Sequence, residues 1–214
     1  MSLQNKYIED ECSARVSRDN PHPLMRRPQD MDSALVRWYP MRIFHSSVSR
    51  QSALNESLSQ EAAVERTYIP QTLVDVEKKI YVPSLVNYIF LQTSLKHLRE
   101  IKADVRYNHL RYVMNMHRDE DDNAVARIAY VPDKQMEDFM RVVDSENEQV
   151  VMLENLGFAC KPGQRVMITK GLFEGIEGTL KSIRKHLCVV IPIENVMAVA
   201  ITNVPRKYLK RIDN

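Results

Sequence analysis

The chain has 214 residues, 44% of them hydrophobic, with 30 Lys and Arg against 28 Asp and Glu. That length accommodates one or two domains with real cores, and a net charge of +2 does not by itself call for nucleic acid. Three cysteines (Cys12, Cys160, Cys188), odd in number and without CxxC spacing, argue against a disulfide framework or a zinc cage. No apolar run follows the charges of the N-terminal stretch. The longest purely apolar run, Val196 to Ile201, is far too short to span a bilayer. A soluble cytoplasmic protein is the expectation.

Charge is unevenly placed. Residues 1–143 balance to zero, residues 144–157 carry −4, and residues 158–214 carry +6. All 5 glycines lie at or after Gly157. Such a shift predicts two domains built on different principles, an α+β unit with few strained turns and a tightly turned β unit. The basic C-terminal part behind an acidic connector fits RNA or an acidic protein as a partner, and a plain solvated surface equally.

Residues 1–34, with Pro21, Pro23, Pro28 and no apolar period, are expected as a disordered tail. Residues 35–144 form the first predicted domain. Leu35 to Phe44 reads as a strand that Pro40 demotes to an edge, or to a strand bulged there. Ser46 or Ser47 caps a helix running to about Glu61. Glu65 to Ile69 is a strand closed by Pro70, and Leu73 to Lys79 with Ile80–Val82 suggests a hairpin excursion. Residues 85–91 are nearly all apolar, as a central strand should be. Ser94 caps a helix with Leu95, Leu98 and Ile101 on one face. Leu110 to Met116 is a further strand, and His117 to Asn123 a charged turn. Pro132 opens a helix whose buried stripe is Met136, Phe139, Met140 and Val143. Helices on an antiparallel sheet, an α+β sandwich, is the predicted class.

Residues 145–160 read as an acidic linker. From 161 to 214, Pro162-Gly163 is a turn, Val166 and Ile168 alternate with polar neighbours, and Gly171, Gly175 and Gly178 supply backbone freedom around Phe173. Extended runs follow at Thr179–Ile183, Leu187–Ile191, Val196–Thr202 and Tyr208–Ile212. Five short strands in so few residues predict a small SH3-like β-barrel.

Two of these stretches carry a family resemblance. Pro-Gly, Val-x-Ile, then Gly-x-Phe-x-Gly-x-x-Gly at 162–178 resembles the KOW motif of NusG-type transcription factors and of some ribosomal proteins. Trp38-Tyr39, Pro83-Ser-Leu-Val-Asn-Tyr-Ile-Phe-Leu91 and Ala129-Tyr-Val-Pro-Asp-Lys-Gln-Met136 resemble the NusG N-terminal (NGN) domain. Together they cover roughly residues 35–214. The resemblance implies an NGN-type sandwich followed by a KOW barrel, acting without enzymatic chemistry as a transcription elongation and antitermination factor. It implies that RNA polymerase is the partner. The polymerase clamp helices would be received by an apolar hollow at Tyr39, Leu85, Tyr88 and Phe90, positions that equally fit an ordinary core. Likeness to RfaH-like factors adds Arg50 and His45 as contacts to the non-template DNA strand. Lys102 to Tyr107 falls where the family meets the far side of the DNA cleft. Val86-Asn87-Tyr88 and Ile191-Pro-Ile-Glu-Asn195 depart from the general NusG pattern. They point to a specialised paralogue, of the kind that serves surface-polysaccharide operons.

No phosphate loop, GxSxG or HExxH occurs, and the six histidines show no metal spacing. Asp119 to Asn123 lacks the Gly and the final Glu of a calcium loop. No cofactor or metal is expected, nor a membrane partner, and the protein should be a monomer. The competing reading is a KOW-type RNA- or ribosome-binding protein of translation or ribosome assembly, with a ribosomal protein or another factor on the barrel.

Overall fold

The computed structural model describes residues 33–44, 47–75, 80–83, 87–119, 122–153, 163–183, 186–193 and 196–212. His45 and Leu85 lie outside these residues, as does the expected tail up to residue 32. In chain order the elements are β1 (Val36–Ile43), α1 (Val48–Ser59), β2 (Val64–Tyr68), β3 (Gln71–Asp75), β4 (Ile80–Pro83), β5 (Tyr88–Ser94), α2 (Leu95–Ala103), β6 (Leu110–Tyr112), β7 (Met114–Arg118) and β8 (Ala124–Ile128). There follow α3 (Asp133–Val143), β9 (Val150–Leu153), β10 (Arg165–Ile168), β11 (Glu177–Ile183), β12 (His186–Ile193), β13 (Met197–Thr202) and β14 (Leu209–Arg211).

The first sheet has the order β2-β5-β1-β6, with β3-β4 and β7-β8 as separate hairpins. β1 is an interior strand, not the expected edge: it pairs with β5 from Val36 to Arg42 and with β6 from Met41 to Ile43. The Pro40 objection fails because of alternation. Val131 N–H bonds the Trp38 carbonyl on the β6 side, while the Ile43 N–H points to Asn87 on the β5 side. Pro40 shares the direction of Trp38, so its missing donor falls in the gap between Val131 and the start of β6.

Side-chain alternation splits the core in two. Tyr39, Met41, Ile43, Ile89 and Leu91 face α1 and α2, joined by Leu54, Leu58, Leu98 and Ile101. Trp38 and Phe90 face the other way, toward Met136, Phe139 and Met140 of α3. Ser47 and Ser94 cap α1 and α2 through their hydroxyls, as their sequence positions imply. The segment expected as one strand at 110–116 is broken at Val113 into β6 and β7, and β8 has no counterpart in the sequence reading.

The second sheet has the order β14-β10-β11-β12-β13-β9. Five of its strands are the extended runs expected after residue 161. The sixth is new: β9 lies within the stretch read as an acidic linker and pairs with β13 from Ala198 to Ile201. Val150, Val151, Met152 and Leu153 supply enough β-branched and apolar character for a strand despite the flanking glutamates.

The glycines of the turn motif do different jobs. Gly171 and Gly175 hold φ of +94° and +84°, as a turn needs. Gly178 is not in the loop but inside β11. There a Cβ would sit 2.7 Å from both the Val190 carbonyl oxygen and Val189 Cγ1. Gly178→Ala therefore meets immovable backbone and should cost about 1–3 kcal/mol. Gly175→Ala meets nothing within 4 Å and should cost only the left-handed strain, about 1 kcal/mol. Thermal melts of the two variants check that order.

Candidate interaction surfaces

α3 is buried on two sides. Its apolar residues Met136, Phe139, Met140, Val142 and Val143 belong to one core cluster that includes Trp38 and Phe90 of the first sheet. The same cluster includes Val166, Ile168, Phe173, Ile176, Val189 and Ile191 of the second. At its centre Tyr68, Phe90 and Phe139 meet with ring centroids 5.9 to 6.3 Å apart, tilted or edge-on, the favoured aromatic geometries.

Polar contacts from α3 fix the second unit in place. The Arg141 guanidinium donates to the carbonyls of Leu172 at 2.7 Å and Glu174 at 2.8 Å. Lys134 donates to Asp138 at 2.6 Å and to the Gly175 carbonyl at 3.2 Å. Asp138, only 5% exposed, also accepts the Glu177 N–H at 3.2 Å. The Gln135 amide donates to the Pro192 carbonyl. A buried carboxylate is tolerated only with such partners. The Tyr68 hydroxyl donates to Asp144 at 2.8 Å, and burial, then that carboxylate, push the phenol pKa far up.

The expected polymerase-binding residues are not one patch. Phe90 is fully buried and Tyr88 half-buried, both on the α3 side of the sheet. Tyr39 is 3% exposed on the opposite side, under α1 and α2. It opposes Leu91, one register step from the Pro40–Phe90 pair, and one step reverses the face. Phe173 and the Gly171–Gly175 turn, expected as a barrel loop, form the surface that α3 grips. Sequence reasoning missed Lys134, Asp138 and Arg141. The available signal was their i, i+4, i+7 spacing beside the apolar stripe, with an acid where a helix buried on one side only would leave solvent.

A second surface is cationic. Arg50 in the first turn of α1 lines a cleft of about 740 Å³ with Phe44, Arg106, Tyr107, His109 and Arg111. No carboxylate lines it among the described residues. Arg106 is neutralised from behind by Asp104 at 2.7 Å and Glu61 at 2.9 Å. Arg111 lies over the Phe44 ring at 6.0 Å, and that ring is 53% exposed. The two together offer a stacking face beside positive charge. Arg50 was expected here; Phe44, His109 and Arg111 were not, although His109-x-Arg111 was visible as an alternating pair on the strand entering β6. Arg106 and Tyr107, expected at a separate contact, share this cleft.

Among the described residues no cluster of three or more His, Cys, Asp or Glu could hold a metal ion. No helix there is long and apolar enough to cross a membrane. No family model matches the chain. No curated protein matches it either. Among solved structures it is similar to one titled "Domain interaction in Thermotoga maritima NusG", at 18% identity and a TM-score of 0.40, over 85% of this chain and 99% of that one. That score lies below the level at which a shared fold is argued.

Partial burial, reinforced by Arg111, Arg50 and Lys102, holds the His109 imidazole below its usual range. Its neutral form is favoured in the folded state, so this contribution to stability is full above the unfolded pKa near 6.5. It is lost as pH falls through the folded value. An NMR titration should place the His109 midpoint below the ordinary histidine value of about 6.5, and Arg111→Gln should raise it.

Proposed function

We propose that this chain is a non-enzymatic, cytoplasmic transcription elongation factor of the NusG kind. It binds the clamp helices of RNA polymerase, suppresses pausing and promotes antitermination at selected operons such as surface-polysaccharide clusters. The reading is carried by one observation: the apolar cluster that holds Phe90, Phe139 and, at its margin, Tyr88 runs through α3 into a second unit that has strands and a sheet of its own. Such a cluster opens to an outside helical partner once the second unit moves off α3. Helix-in-groove recognition then uses the buried aromatics as anchors. Tyr88, half-exposed at the margin of that cluster, is the natural first contact. Tyr39 acts only by shaping the opposite core.

The cleft at Arg50, Phe44 and Arg111 is the surface we assign to the exposed non-template strand. Positive charge tracks the phosphates and the ring stacks on a base, so binding should weaken with salt. Preferential binding to the elongating polymerase disfavours paused states without covalent chemistry. The net charge of +6 on residues 158–214 supports the rival reading, a KOW-type ribosome- or RNA-binding protein. Copurification with RNA polymerase or with ribosomal subunits separates the two.

Transcription in vitro across a pause site or terminator tests the proposal. The protein should shorten pausing or raise read-through. Tyr88→Ala should lose most of that effect while its thermal melt stays within a few degrees of wild type, since the ring is half-exposed. Activity unchanged in a folded Tyr88→Ala protein would refute the assignment of this face.

A further inference from the structure

β9 is out of place in the second sheet. β10 to β13 follow one another as neighbours and β14 closes onto β10, whereas β9 comes from the acidic stretch and is added to the far edge of β13. That edge needs a strand. With β9 in place every residue of β13 from Met197 to Ile201 is buried, at 0 to 2% exposure, and the strand's outward backbone groups find their partners in β9. The Thr202 N–H bonds the Gln149 carbonyl at 2.8 Å. Antiparallel alternation then points the N–H groups of Ala200 and Ala198 at Val151 and Leu153, their register partners. Ala198, Ala200 and Cys188 leave a shallow seat in which Leu153 packs.

The strand filling that edge is held lightly. It has four residues, none fully buried, and Val151 is 44% exposed. Glu146, just before it, adopts a left-handed φ of 51°, which strains a non-glycine residue. Residues 144–149 alone join α3 to β9, a reach of at most about 20 Å. With β9 released, residues 144–164 would reach about 70 Å.

We propose that the outer edge of β13 is a strand-addition site for an extended segment of a partner protein, and that β9 is a displaceable stand-in supplied by the chain itself. The partner segment adds backbone hydrogen bonds to Ala198, Ala200 and Thr202. It carries apolar side chains where Val150, Met152 and Leu153 now sit, and no proline where its N–H must face β13. Exchange of one strand for the other keeps the edge satisfied and lengthens the tether between the two units. The site is independent of what the Phe90 face binds.

The test uses the full chain, amide exchange by NMR, and a peptide with the sequence of residues 148–155. In the wild type, the amides of Ala198 and Ala200 should exchange at least about tenfold faster than those in the β11–β12 ladder, by local release of β9. Val151→Pro removes a donor from β9, so those two amides should exchange faster still. The peptide should bind this variant, restore their protection, and bind the wild type at least about tenfold more weakly. A peptide with proline at the Val151 position should not bind. The proposal is overturned if the folded variant keeps both amides protected, or if it bares them and the peptide fails to restore protection. Should Val151→Pro not fold, the wild-type exchange decides. Faster exchange at Ala198 and Ala200 upholds a releasable strand, and exchange at the rate of the β11–β12 ladder refutes it.

Discussion

The fold depends on a helix that is amphipathic twice over. α3 lays Phe139 and Met136 on the sheet beside Trp38 and Phe90, and the same cluster runs on without a break into Val166, Phe173 and Val189. Burying a Phe of this kind is worth several kcal/mol in truncation experiments, roughly 3–5. An apolar face this well covered stays covered unless something equally apolar replaces the cover. That constraint ties the stability of the molecule to its proposed action.

Around that seam the polar contacts confer specificity more than strength. Arg141 caps two carbonyls of the Leu172–Glu174 turn, and Asp138 takes a proton donor from each side, Lys134 from its own helix and the Glu177 backbone from the other unit. Removing either partner would strand a buried charge, which costs more than the pair itself contributes. Such contacts select one docked orientation among the many that greasy surfaces allow. They are also few, so a competing partner has a limited set of bonds to replace.

Much of the framework was legible in the chain. Serine caps at Ser47 and Ser94, the i, i+3, i+6 stripe of α2, the apolar run at 88–91 and the five late strands all follow from local chemistry, and the structure places them there. What was hidden was tertiary. Pro40 looked like an edge residue because its tolerance depends on where β6 begins, which no local pattern encodes. Tyr39 and Phe90 read as one patch because adjacency in sequence motifs hides the alternation of faces. The acidic residues around 150–153 masked a strand whose partner, β13, lies about fifty residues on. Asp138 and Arg141 carried no local mark of their role, since the surface they meet belongs to the other unit. In each case the missing information was a neighbour distant in sequence.

The central claim is that the apolar cluster around α3, Phe90 and Phe139 included, meets the C-terminal sheet in the free protein and RNA polymerase in the complex. Single-molecule energy transfer tests it directly, with dyes on Ser49→Cys in α1 and Lys207→Cys beside β14, and Cys12, Cys160 and Cys188 replaced by serine or alanine. The free protein should show one short distance, and addition of RNA polymerase should convert it to a longer one in step with binding. Polymerase bound at saturation with the short distance unchanged would contradict the account.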